Sequence, residues 1–252
     1  MKKPKIETLI DIIEKSGEIL VDNYRKKKRV KRKEDDSPVT PVDVKIGEFI
    51  RERLEKMTPS FSIISEELEN RERKSKFTWI VDPLDGTTNY IHHIPISAIM
   101  VALCRRRSPI MGVVHFPLQD LTYHAEKGEN AYLNGKRICV SNISPEEGLT
   151  IFGTKIQKKE VWSALRKARN VFSDFRMLGS AAMSLTKVAE GKATACFEAG
   201  IKPWDYLPPK IIVEEAGGKV TNIHNEEIDW ESRTIVASNG KQHDSLLKRL
   251  RN

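Results

Sequence analysis

The sequence predicts an α/β protein built as an α+β half over residues 1–145 and an α/β half over residues 146–252. Two patterns carry this. Between Ile96 and Ser141 apolar runs follow one another with turn residues between them, as in an antiparallel meander. After Ser144-Pro145, strand-like and helix-like segments alternate, the pattern of a more parallel sheet with helices laid against it. The halves are expected to share one active site within a single compact unit.

In the first half, Leu9, Ile12, Ile13, Ile19, Leu20 and Tyr24 recur at helical spacing and predict an N-terminal amphipathic helix. A second helix opens at Asp43, read as its N-cap, turns Val42, Ile46, Phe49, Ile50 and Leu54 inward, and stops at Thr58-Pro59. Short strands are predicted at 61–64 and 77–81. The meander follows at 96–104, 109–116, 121–126 and 137–141, with Arg105-Arg106-Arg107 at a hairpin tip and turns at 127–130 and Asn134-Gly135.

In the second half, strands are predicted at 149–153, 171–175, 193–197, 219–223 and 234–238, and helices at 158–168, 181–190 and from Gln242. One more helix is read from Trp204-Asp205 to Gly217-Gly218. With Asp205 near its N-cap, Pro208 falls in the first turn, where its missing N–H is harmless, and Pro209 removes one helix bond.

Composition narrows the function. No apolar run approaches the roughly 18 residues of a membrane helix, and residues 1–15 are charged and amphipathic, unlike a signal peptide, so a cytoplasmic protein with no membrane partner is expected. Cys104, Cys139 and Cys196 are scattered and odd in number; they read as buried free thiols, not as a disulfide or zinc framework. The formal net charge of +8 raises nucleic-acid binding, focused on the basic run 25–33. That run holds no aromatic residue for base stacking and lies between a helix and the next motif, so it is read as a solvated segment with no nucleic-acid partner.

The chemistry is concentrated at 79–90, Trp-Ile-Val-Asp-Pro-Leu-Asp-Gly-Thr-Thr-Asn-Tyr. An apolar strand ends there in Asp82 and Asp85, placed on either side of a turn by Pro83 and Gly86. Two carboxylates held so close repel unless a cation lies between them, and oxygen donors without His or Cys suit magnesium or manganese. Gly86, Thr87 and Thr88 offer N–H groups and hydroxyls of the kind that hold a phosphate. Asp-Pro-Leu-Asp-Gly is equally the composition of an ordinary surface turn.

This stretch resembles the central signature of the inositol monophosphatase family: lithium-sensitive, magnesium-dependent phosphatases that include archaeal-type fructose-1,6-bisphosphatases, histidinol phosphatases and 3′-phosphoadenosine 5′-phosphate phosphatases. Further similar segments follow in order across nearly the whole chain: Ser37-Pro38-Val39-Thr40-Pro41-Val42-Asp43, Ser65-Glu66-Glu67, Leu178-Gly179-Ser180-Ala181-Ala182, and Trp204-Asp205 leading to Glu215-Ala216-Gly217-Gly218. The resemblance implies a layered α-β-α-β-α sandwich of the sugar phosphatase type, commonly a homodimer. It implies two or three magnesium ions on Glu66, Asp82, the Leu84 carbonyl, Asp85 and Asp205, with Glu67 supporting a further metal through water. It also implies that Thr87 and Asp43 orient the attacking water.

By the same resemblance Glu198 takes ring hydroxyls of the substrate. The small residues Gly179, Ser180 and Ala181 let it approach the backbone, and Arg176 is a candidate for a second phosphate or a hydroxyl. Thr88-Asn89 and Glu198 favour inositol monophosphate over nucleotide substrates, whose phosphatases usually carry Lys in the place of Thr88. Fructose-1,6-bisphosphate is the next candidate, then histidinol phosphate and 3′-phosphoadenosine 5′-phosphate. The family usually has small residues where Pro208-Pro209 stand here. A different class, a regulator that uses the basic surface on RNA or protein, is disfavoured by the intact carboxylates.

Overall fold

The computed structural model describes residues 3–153 and 174–251. Helices α1 (Ile6–Tyr24) and α2 (Pro41–Met57) pack on each other and on one face of a seven-stranded sheet. Leu9, Ile13 and Leu20 of α1 and Ile46, Ile50 and Leu54 of α2 are fully buried there, as the period of 3.6 predicts. The cap of α2 is Thr40, three residues before the Asp43 suggested by the sequence. Pro41 takes the first helical position, the Thr40 hydroxyl accepts from Val42 N–H at 3.2 Å, and Asp43 returns its Oδ2 to Thr40 N–H at 2.9 Å. This is a capping box closed by an aspartate.

A short hairpin, β1 (Lys31–Arg32) with β2 (Pro38–Val39), precedes α2. The seven-stranded sheet then runs in sequence order: β3 (Ser62–Ser65), β4 (Phe77–Asp85), β5 (Ala98–Arg105), β6 (Ser108–Phe116), β7 (Leu121–Glu126), β8 (Ala131–Leu133) and β9 (Lys136–Ile138). Only β3 and β4 are parallel; every later neighbour is antiparallel, the expected meander with β8 added between its last two turns. The β5–β6 tip is Arg106-Arg107, both at positive φ, as a two-residue hairpin turn requires. Along β5, Ile99, Val101 and Leu103 face α1 and α2, while Ala98, Met100, Ala102 and Cys104 face the opposite way, so both faces of the sheet are covered.

That second face meets α4 (Ala181–Ala189) and α5 (Pro203–Glu215), the short helix α3 (Thr87–Ile91) having followed β4. Beyond them lies a five-stranded sheet in the order β11 (Asp174–Met177), β10 (Leu149–Phe152), β12 (Ala195–Ala199), β14 (Thr234–Ser238), β13 (Lys219–Thr221). β10 is parallel to both its neighbours, whereas β14 is antiparallel to both of its own. Helix α6 (His243–Arg251) closes the outer face through Leu246, Leu247 and Leu250 on Phe152, Phe197 and Val236. The order of layers is therefore α-β-α-β-α. The helix expected at 158–168 lies outside the described residues, and so does the start of the strand expected at 171–175.

Two local expectations are corrected. Helix α5 begins at Pro203, so Asp205 is its third residue and both Pro208 and Pro209 stand inside the helix, not in its first turn. Two N–H donors are thereby missing from the ladder, and packing between the sheets holds the helix instead. At the crossing a Cβ on Gly112 of β6 would come 2.5 Å from the Pro208 carbonyl, so glycine is what lets the proline-bearing turn approach. Among the cysteines, Cys104 and Cys196 are buried, but Cys139, one residue past the short β9, is exposed.

Candidate active site

The two aspartates of 79–90 lie in β4 itself, because the strand does not stop at Val81. It runs on to Asp85 with a bulge between Asp82, opposite Met100, and Asp85, opposite Ala98. Pro83 has no N–H for the ladder, so a proline in this interior strand is accommodated where pairing lapses. The bulge replaces the expected turn and sets both carboxylates at the floor of a cleft of about 520 Å³. Gly86 then takes φ 76°, and a Cβ there would meet the Ile96 carbonyl at 2.6 Å, so both backbone and space demand glycine.

β3 delivers Glu66 and α5 delivers Asp205 to the same place. Carboxylate oxygens of Glu66, Asp82 and Asp205 lie within 4.8 Å of one another. Asp82 is fully buried; its Oδ1 accepts from Leu84 N–H at 3.0 Å, while Oδ2 has no hydrogen-bond partner among the described residues. Burial, then the charges of Glu66, Asp85 and Asp205, push the Asp82 carboxyl well above the usual carboxylate range. An orphaned buried carboxylate oxygen among converging acids, with oxygen donors only, fits a hard divalent cation.

Asp85 is supported differently. Its Oδ2 accepts from the Ser180 hydroxyl and, at 3.1 Å, from Ala182 N–H, and its Oδ1 from Ala181 N–H at 3.3 Å. Gly179, Ser180 and Ala181, the small residues expected beside the substrate, line the cleft, and the Ser180 hydroxyl and the Ala181 N–H are directed at Asp85. Burial raises the Asp85 carboxyl to about 6 against these hydrogen bonds. Asn89 secures the same loop from behind: its Nδ2 donates to the Leu178 carbonyl at 2.9 Å, the Ile96 carbonyl at 3.0 Å and the Gly179 carbonyl at 3.3 Å.

Asp43 and Thr87 meet as expected. The Thr87 hydroxyl lies 3.2 Å from Asp43 Oδ1 and 2.9 Å from the Leu84 carbonyl, so its one proton has two acceptors. Asp43 is fully buried, and desolvation lifts its carboxyl to about 6. Glu67 lies behind Glu66 and is lifted to about 7, chiefly by burial. Lys33, from the hairpin before α2, bridges the two glutamates, 2.7 Å from Glu66 Oε1 and 2.5 Å from Glu67 Oε1.

Gly86, Thr87 and Thr88 border the acids, and the far wall carries Glu198, Gly200, Lys202 and, from the hairpin, Arg32, Asp36 and Ser37. Asp205 Oδ2 accepts from Lys202 N–H at 2.6 Å, which ties this wall to the acid group. A family model described as the inositol monophosphatase family matches residues 1–252. The chain belongs to the inositol monophosphatase family.

Its relatives in that family match along nearly their whole length. A protein of Aquifex aeolicus (strain VF5) named fructose-1,6-bisphosphatase/inositol-1-monophosphatase is 34% identical over 239 residues, 92% of this chain and 89% of its own. Inositol monophosphatase 3 of Solanum lycopersicum is 34% identical over 256 residues, 97% of this chain and 96% of its own. The crystal structure of the extragenic suppressor protein suhB from Bartonella henselae matches with a TM-score of 0.93 at 30% identity, over 98% of each chain.

Within this inositol monophosphatase fold, Arg176 does not join the cleft. It lies exposed on β11, ion-paired with Asp174, and borders a separate cavity of about 340 Å³ floored by Ile96, Ile151, Leu178 and Met183. Conversely, the sequence reading gives Lys202 no role, takes Arg32 and Lys33 only as part of the basic run, and takes Asn89 only, beside Thr88, as a mark of substrate preference. Lys33 is the last residue of the basic run, and nothing in the pattern distinguishes it from its solvated neighbours. Lys28 of that run is also engaged, capping α1 through the Asn23 carbonyl at 2.6 Å and lying 4.3 Å from the Tyr90 ring centre.

Proposed function

We propose that this phosphatase is a magnesium-dependent phosphomonoesterase that hydrolyses inositol monophosphate to inositol and phosphate. The observation that carries the reading is the buried, unpartnered Asp82 Oδ2 among the carboxylates of Glu66 and Asp205 at the cleft floor. Glu66, Asp82, the Leu84 carbonyl, Asp85 and Asp205 are the groups that would hold two or three magnesium ions, and manganese suits the same oxygens. Divalent ions held there supply positive charge against the phosphate and acidify water.

The chain's own groups do the rest. The Thr87 hydroxyl faces the acid group and is backed by Asp43, so a proton leaving the attacking water passes to Thr87 Oγ1 as the Thr87 proton moves to Asp43 Oδ1. Asp85 is held still by Ser180, Ala181 and Ala182, which fixes one wall of the site before substrate arrives. Glu198, 5% exposed yet lining the cleft, accepts hydrogen bonds from ring hydroxyls of the polyol.

A second reading, fructose-1,6-bisphosphate as substrate, is favoured by the cations on the far wall. Arg32, 3.5 Å from the Asp36 carboxylate, and Lys202 both line the cleft and put two cations on the wall that a distal phosphate would meet. The name of the Aquifex aeolicus relative points the same way. A homodimer is supported by β11, which among the described residues is an edge strand exposed along its whole length, with Phe175 and Met177 uncovered. No helix among the described residues is long and apolar enough to cross a membrane, and the working compartment is taken as the cytoplasm.

The test is magnesium-dependent phosphate release from inositol-1-phosphate, fructose-1,6-bisphosphate, histidinol phosphate and 3′-phosphoadenosine 5′-phosphate. The highest kcat/KM is expected on inositol-1-phosphate. A preference for the bisphosphate moves the assignment to the second reading, and release from none of the four overturns both.

A further inference from the structure

Gly153 follows β10 directly, and its N–H donates to the Phe197 carbonyl at 2.7 Å. It therefore lies beside Glu198 on the adjacent parallel strand β12. A Cβ on Gly153 would stand 2.9 Å from the Glu198 carboxyl carbon, closer still to Oε2, and 3.3 Å from Glu198 Cα. No real side chain tolerates such an approach, so either the carboxylate or the strand would have to move.

The reason for glycine here is space alone. The backbone of Gly153 is outside the left-handed region, unlike Gly86 or Gly179, so an alanine would meet no conformational penalty. Nor is the obstacle the free end of a surface side chain. Glu198 is 5% exposed, its neighbours Phe197 and Ala199 are buried in the outer core, and its carboxylate already reaches the cleft. A methyl group at 153 would push that carboxylate out of the place it holds in the cleft wall.

The geometry points to Gly153 as a positioning residue for substrate specificity: the absence of a side chain there seats the Glu198 carboxylate where it receives the hydroxyls of a phosphorylated polyol. This inference rests on Glu198 as the hydroxyl acceptor described above. Gly153 touches no reacting atom, so its loss should weaken binding of the polyol and leave the handling of the phosphate alone.

The experiment is a double-mutant cycle of Gly153→Ala and Glu198→Ala, with kcat and KM measured in magnesium for inositol-1-phosphate and for p-nitrophenyl phosphate, an ester without hydroxyls. Gly153→Ala is expected to raise KM for inositol-1-phosphate about tenfold, as expected for a displaced hydrogen-bonding group, with kcat within about twofold. In the Glu198→Ala background the same change should shift KM by less than about twofold, and p-nitrophenyl phosphate should not distinguish the variants. Equal losses in both backgrounds, or on both substrates, overturn the role of Gly153 while leaving that of Glu198 intact. If Glu198→Ala itself leaves KM for inositol-1-phosphate unchanged, the hydroxyl-acceptor reading fails and this inference fails with it. Should Gly153→Ala not fold, the double variant, with the clash removed, is expected to fold; a double variant that also fails overturns the proposal.

Discussion

Asp43 joins the start of α2 to the turn after β4: its Oδ1 lies 3.2 Å from the Thr87 hydroxyl, while its Oδ2 accepts from both the N–H and the hydroxyl of Thr40. One carboxylate thus closes a helix cap and backs a residue of the active site. In Asp43→Asn the carbonyl oxygen must stay with the two Thr40 donors, which turns the amide N–H₂ toward Thr87 and leaves the Thr87 proton only the Leu84 carbonyl, an acceptor too weakly basic to take it. The expected result is a fall in kcat of about 10²- to 10³-fold, the scale of a lost acid–base step, with a folded protein by circular dichroism. Wild-type kcat in this variant would separate Asp43 from the chemistry.

Asp82→Asn should trade activity for stability. The neutral side chain removes a buried charge that Glu66, Asp85 and Asp205 all repel, and Leu84 N–H keeps an oxygen to bond. In chelator at neutral pH the variant is expected to melt a few degrees above the wild type, as happens when a strained functional group is neutralised. Calorimetry checks this, and a lower melting temperature would show that repulsion among the acids is not a source of strain.

The raised carboxylates also set a pH dependence for the metal-free protein. Asp43 and Asp85 sit at about 6 and Glu67 at about 7, each pushed up chiefly by burial. A carboxyl whose folded pKa exceeds its unfolded value, about 4, contributes stability that is complete below that value and is lost as pH rises through the folded one. The melting temperature in chelator should therefore fall between pH 5 and pH 8, and less steeply in Asp82→Asn. Magnesium should reverse the trend, because it binds the ionised carboxylates. Thermal scans at fixed ionic strength decide it; a wild-type curve rising with pH in chelator contradicts the shifts.

Asn89 is expected to matter although it faces away from the substrate. Its amide serves the carbonyls of Ile96, Leu178 and Gly179, and Asn89→Ala removes all three bonds and leaves these partly buried acceptors without that donor, beside the loop that holds Asp85. A loss of about 1–3 kcal/mol in denaturant unfolding is expected, with reduced kcat. Stability unchanged within error would mean that the loop is held by its other contacts.

Residues 79–90 declared the site in the sequence because a buried strand ending in acids, proline and glycine is hard to explain by packing alone. Layering was legible from the spacing of apolar residues, as the two faces of β5 show. What stayed hidden depends on where strands and side chains meet in space. The bulge at Pro83 arises from the pairing of β4 with β5, and the reach of Lys33 to Glu66 depends on how the hairpin folds back. Gly153 matters only because Glu198 lies on the next strand. The displaced helix starts were readable: in Thr40-Pro41-Val42-Asp43 and Lys202-Pro203-Trp204-Asp205 the proline marks the first helical position and the aspartate the third.

The central claim is that Glu66, Asp82 and Asp205 form a divalent-metal site that drives phosphate-ester hydrolysis. The most direct measurement is manganese binding followed by electron paramagnetic resonance, with phosphate release assayed on the same samples, for the wild type and Asp82→Asn. The account predicts at least one manganese bound and released by chelator in the wild type. In Asp82→Asn it predicts affinity weakened about 100-fold or more, with hydrolysis lost in parallel. Equal manganese binding by the two proteins, or hydrolysis that persists in Asp82→Asn, would contradict it.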